Sequence, residues 1–71
     1  MTIGSKLKEL RLERKETQLQ VAKAIGMGDR HYQRIENDDG LPGLEIFCAL
    51  ADHFGVSLDY LAGRTENRNT P

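Results

Sequence analysis

Glycines stand at positions 26, 55 and 63, each closing a stretch whose apolar residues are spaced three and four apart. This punctuation constrains the fold more than any other feature of the chain. Apolar side chains at i, i+3, i+4 and i+7 form one face of an α-helix. A glycine just past the last of them supplies the left-handed backbone on which helices commonly end. Ile3, Leu7 and Leu10 give the inward stripe of a first helix, over about 5–15, with Ser5 as its N-cap or a longer start from Thr2. Thr17 caps a second helix, 18–25, that turns Val21, Ala22 and Ile25 inward. A third, 29–37, has Tyr32 and Ile35 as its inner face. Beyond a loop at 38–42, marked by Gly40 and Pro42, a fourth helix over 44–54 carries Leu44, Phe47, Leu50, Ala51 and Phe54 on one side. Ser57 opens a short fifth helix, with Leu58 and Leu61 returning to the core. Strand-like alternation and internal repeats are absent, so the fold class is all-α, a compact five-helix domain over 1–63. Residues 64–71 are polar and read as a flexible tail.

Seventy-one residues make one small domain, and chains of this size bury only about 60% of the surface their unfolded form exposes. A scaffold and a deep catalytic pocket do not both fit. With no nucleophile–base arrangement and no phosphate-cradling glycine loop, an enzyme is not expected, nor is a small-molecule substrate. Cys48 is the single cysteine, which excludes an intramolecular disulfide and a zinc knuckle; a buried structural thiol is expected instead. His31 and His53 share no metal-ligand spacing with it, so neither metal nor cofactor is expected. His31 is expected beside DNA or solvent, and His53 on the surface near a helix C-terminus. The charged start and the lack of a long apolar run point to a soluble cytoplasmic protein without a membrane partner. The net charge of −1 does not by itself favour nucleic acid, but its distribution is uneven. Residues 1–28 hold six Lys and Arg against three Asp and Glu, and residues 29–71 hold four against eight.

Residues 18–37 have the logic of a helix-turn-helix. Two short helices are joined by a tight glycine turn that fixes a steep crossing. Ala22 stands where the helices approach most closely, and Gly26 occupies the turn. At about 100° per residue, Arg30, Gln33, Arg34 and Asn37 project opposite Tyr32 and Ile35. Arginine can donate twice to guanine, and Gln or Asn can pair bidentately with adenine; Arg and Asn also serve phosphates. The plain alternative is a solvated helix face.

Three stretches then carry a resemblance: LKELRLERKETQLQVAKAIGM from Leu7, YQRIEN from Tyr32, and P-x-LEIFCALADHFGVSLDYLAG from Pro42. Together, over 4–63, the chain resembles the Cro/repressor-type, XRE-like helix-turn-helix regulators of phages and bacteria. The resemblance implies a lambda-repressor-like DNA-binding domain with the helix-turn-helix at helices 2 and 3. It implies that Asp29, Arg30 and Arg34 stand at base-reading positions, joined by Gln33 from the outer-face projection. It places Gln18 on a DNA phosphate, where free N–H groups at a helix start also attract anions, with its neighbour Thr17 and with Asn37 on the backbone. It makes Arg11 and Glu36 an ion pair tying the first helix to the third. By analogy, the dimer surface is sought first in the fifth helix and tail, with Tyr60 as a contact.

The sequence also departs from that pattern. Gly28 replaces a Ser or Thr cap, leaving capping to Asp29, whose other roles would be to accept from cytosine or to oppose close docking. Asp38 replaces a customary glycine and, with Asp39, adds negative charge where phosphate passes. Tyr32 is bulkier than the usual aliphatic residue, so its hydroxyl needs solvent or a partner. Leu19 is apolar where a polar residue is common. Two function classes follow. The first is a sequence-specific transcriptional regulator, a repressor binding a palindromic operator in double-stranded DNA as a homodimer. The second is a protein-interaction module, antitoxin-like or partner-binding, that keeps the fold with weak or lost DNA affinity.

Overall fold

The computed structural model describes residues 2–68 and is all-helical among them. Its elements are α1 (Ile3–Glu13), α2 (Gln18–Ile25), α3 (Asp29–Glu36), α4 (Leu44–Phe54) and α5 (Leu58–Leu61). The core gathers one stripe from each: Leu7 and Leu10, Val21 and Ala22, Tyr32 and Ile35, Leu50, Ala51 and Phe54, and Tyr60 and Leu61. Ile3, Ile25, Met27, Ile46, Phe47 and Val56 pack around it half-buried.

Local signals set most helix ends. Thr17 Oγ1 accepts from the Gln20 N–H, and the Gln20 side chain accepts from the Thr17 N–H, closing a capping box at the start of α2. Gly26 and Gly55 end α2 and α4 at φ +75° and +65°, the left-handed region that a side chain resists. Ser57 caps α5 through the Tyr60 N–H.

α1 begins at the earlier of its two expected starts. Thr2 is the N-cap, and Ser5 is the return member of its capping box. The deciding partner is distant in sequence: Asp38 accepts from the Thr2 hydroxyl at 2.7 Å and from the Gly4 N–H at 3.0 Å. Asp38 holds φ +60° to do so, which gives a conformational reason for the glycine customary there. Gly4 has its own constraint, because a Cβ would press into the Glu36 carbonyl oxygen and come within 2.7 Å of Asp38 Oδ1.

Several side chains face other ways than periodicity predicts. Leu44 is 74% exposed and Leu58 is 41% exposed, while Tyr60 is buried. α5 has a single turn, so tertiary contacts rather than spacing choose its inner face. Lys6 crosses from α1, donates to the Tyr60 carbonyl at 2.8 Å and lies over the Tyr60 ring. Tyr60 is thereby a core residue under two cations, not a surface one, because Arg68 covers the ring as well. Arg68 also pairs bidentately with Glu13 at 2.8 Å, and its carbonyl accepts from the Ser57 N–H. The first five residues read as flexible tail are thus tied to α1 and α5 through Arg68; residues 69–71 lie outside the described residues. Cys48 is half-buried rather than sealed in the core. His53 is not a plain surface group either: Nε2 lies 3.0 Å from both Glu16 carboxylate oxygens, and its ring meets Phe54 edge-on.

Candidate nucleic-acid interface

α2 and α3 meet across Ala22, which is fully buried. The backbone leaves α2 through Gly26, where the Met27 N–H reaches back to the Ala22 carbonyl, and re-enters helix at Asp29. A side chain larger than alanine at the crossing would hold the two helices apart.

The two helices are fixed to the scaffold by a buried polar network. Arg11 donates through Nε and Nη2 to the two Glu36 carboxylate oxygens, both at 2.9 Å, and through Nη1 to the Glu16 carbonyl. Gln18, at the start of α2, donates to Glu36 Oε1 at 3.1 Å. The side chains of Arg11 and Glu36 are 11% and 2% exposed. Burial pushes the Glu36 carboxyl up, but Arg11 above all, with Tyr32 and Gln18, outweighs it and holds the group below its usual value. The Tyr32 hydroxyl is sealed from solvent beside this carboxylate without completing a hydrogen bond. Burial, and then the neighbouring Glu36 charge, drive its acidity far below that of an ordinary phenol.

On the outer side of α3, Arg30, His31 and Arg34 are exposed, and Asn37 is exposed as the C-cap residue. Arg30 has no hydrogen bond or ion pair among the described residues. Arg34 Nε lies 3.4 Å from Asp39 Oδ2 on a solvent-exposed pair, an interaction of small worth that a competing anion can replace. Gln33 is half-buried and donates to Asp29 Oδ2 at 3.1 Å. Asp29 is not the cap of α3. Gly28 holds the N-cap position and no side chain caps the helix, because Asp29 is already the first helical residue and turns back toward Gln33. Thr17 lies exposed beside Gln18.

The arrangement brings Thr17, Gln18, Arg30, Arg34 and Asn37 to the ends and outer surface of one helix pair. Asp29 and Gln33, both half-buried, are tied to each other on the same helix. Asp38 is likewise not a loose charge at this surface, since it is spent on the start of α1, where a helix dipole favours an anion. Sequence reasoning missed that role, and the Glu16–His53 link, because each joins residues more than thirty positions apart.

Residues 7–61 match the model of the helix-turn-helix family. The chain belongs to that family, in its XRE type. Among relatives of this helix-turn-helix chain, the cryptic phage CTXphi transcriptional repressor RstR of Vibrio cholerae serotype O1 is 36% identical over 64 residues, covering 90% of this chain and 57% of its own. The HTH-type transcriptional regulator ImmR of Bacillus subtilis is 32% identical, over 93% of this chain and 52% of its own. The helix-turn-helix chain thus spans a little over half the length of these relatives. In fold it matches the P22 c2 repressor, solved in complex with a synthetic operator, with a TM-score of 0.86 at 23% identity, covering 92% of this chain and 98% of that one. Among the described residues, no helix is long and apolar enough to cross a membrane, and no group of three or more His, Cys, Asp or Glu could hold a metal ion.

Proposed function

We propose that this helix-turn-helix domain is a sequence-specific transcriptional regulator of the repressor kind, binding a palindromic operator as a homodimer with α3 of each copy in the major groove. The observation that carries the reading is the outer face of α3. Two exposed guanidinium groups, Arg30 and Arg34, stand beside Asn37, on a helix locked to α2 and α1 through Glu36. Guanidinium groups suit guanine edges and phosphates alike. Repressor names among the relatives and an operator-bound structural neighbour support the reading. One module offers few base contacts, so two copies reading half-sites about 34 Å apart is the expected geometry. A longest dimension of 30 Å lets two copies sit side by side on that spacing.

Selection of bound duplexes from a random-sequence pool, at low and near-physiological salt, tests this. Recovery of a palindrome supports the regulator, and its half-site spacing reports the dimer. Sequence-neutral binding, or none, favours the interaction module. The observations behind that second reading are the Asp39 carboxylate facing Arg34 and the 47% exposure of Leu19.

A further inference from the structure

Asp29 stands at the head of the proposed reading helix, where a carboxylate facing a polyanion needs an explanation. Both of its oxygens are accounted for by position. Oδ2 accepts the Gln33 Nε2–H at 3.1 Å. Oδ1 is closed off from solvent and has no hydrogen-bond partner. Oδ1 is not presented outward and Oδ2 already holds Gln33, so acceptance from a cytosine amino group would compete with that bond.

The effect on Gln33 is more informative. A free glutamine amide can turn end for end and present either its oxygen or its nitrogen to a base. Asp29 accepts only, so it can hold only the nitrogen. With Nε2 drawn toward Asp29, one N–H and the whole Oε1 remain, and their order along the helix face is set. An amide held in this sense matches an adenine edge, which offers a donor at N6 and an acceptor at N7, in one direction only. The i to i+4 spacing places the two residues one above the other on the same side of α3.

We infer that Asp29 is a positioning residue that fixes the orientation of the Gln33 amide, and that Gln33 is the reader of an adenine in each half-site. The inference rests on the proposed DNA-binding function and adds to it which residue reads and which one orients. It also gives the carboxylate a use that outweighs the repulsion it brings toward phosphate.

The test is base preference, measured by selection and then by titration against single-base variants of the recovered site. Four proteins are compared: the unaltered chain, Asp29→Ala, Gln33→Ala and the double variant. Asp29→Ala is expected to lower the preference at one A·T position by roughly tenfold, the discrimination of one bidentate pair, while binding to unrelated duplexes tightens because a negative charge is gone. Gln33→Ala is expected to lose the same preference, and Asp29→Ala to add no further loss once Gln33 is gone. Asp29→Asn, which can accept from or donate to Gln33 and so holds the amide in either sense, is expected to restore only part of it. If Asp29→Ala changes base preference equally with and without Gln33, Asp29 reads DNA itself and the inference is overturned. It is overturned too if neither single variant alters preference while the unaltered chain still selects a motif; the regulator reading then stands. If the unaltered chain selects no motif, both fall. Circular dichroism on each variant separates these outcomes from loss of fold.

Discussion

Glu36 gathers Arg11, Gln18 and Tyr32 around one carboxylate, and its energetics follow from burial. Removing one member of a buried pair strands the other charge, at a cost of about 3–5 kcal/mol. Glu36→Gln is therefore expected to lower stability by several kcal/mol in urea titrations. A carboxyl held below its unfolded value of 4.5 contributes stability that is fully present above that pH and lost as pH falls through the folded value. The unaltered protein should accordingly lose stability below about pH 4.5, and part of that acid limb should disappear in Glu36→Gln. Tyr32 is expected to matter far less. Its hydroxyl is buried without a completed hydrogen bond, and an unsatisfied buried hydroxyl costs about 1–3 kcal/mol. Tyr32→Phe removes that penalty together with the hydroxyl's support for the Glu36 charge, so a net change within about 1 kcal/mol is expected, read as a shift in the urea midpoint at constant slope.

At the scale of elements, α1 and α3 are joined at their ends as well as along their faces. The start of α1 rests on the Glu36 carbonyl and the Asp38 carboxylate. Gly4→Ala should overpack this junction, lowering stability by about 1–3 kcal/mol. Asp38→Ala removes both bonds to α1 yet keeps the left-handed φ, so a loss of roughly 1–2 kcal/mol is expected. Asp38→Gly should recover part of it, because glycine adopts that backbone freely; thermal midpoints of the two variants give the comparison. The same junction explains what could be read from the chain. α2 and α4 were legible to the residue, since Thr17, Gly26 and Gly55 act on backbone within a few positions of themselves. The true start of α1 was only one of two options, because its choice depends on Asp38, thirty-six residues away from Thr2. Spacing turns Leu58 inward, yet it is exposed while Tyr60 is buried, since one helical turn carries no periodicity to read. At the interface, the outward place of Arg30 and Arg34 followed from the opposite inward pair Tyr32 and Ile35. The bond between Asp29 and Gln33 did not, because a carboxylate at a helix start has several partners within reach.

For the whole molecule, charge is divided between a basic first half and an acidic second half, while α3 sets its two arginines among Asp29, Asp38 and Asp39. Two of those carboxylates accept hydrogen bonds from the protein's own groups, and the third, Asp39, lies exposed opposite Arg34. Asp39→Asn is therefore expected to tighten binding to all duplexes, with little change in sequence preference, in titrations at fixed salt. The affinity of the unaltered protein should fall by about 0.9 log units per log unit of salt for each phosphate engaged. The buried bonds from Glu36 to Arg11 and Gln18 have a mechanical consequence for such a complex. They tie α1, α2 and α3 into one body within each copy, so adjustment between two half-sites would fall to the contact between copies and to the duplex. The duplex's share of any misfit is taken up by bending and twisting of base pairs the protein never touches. Operators would be sorted partly by their elasticity, and a stiff spacer between two perfect half-sites should bind more weakly than a pliant one of equal length.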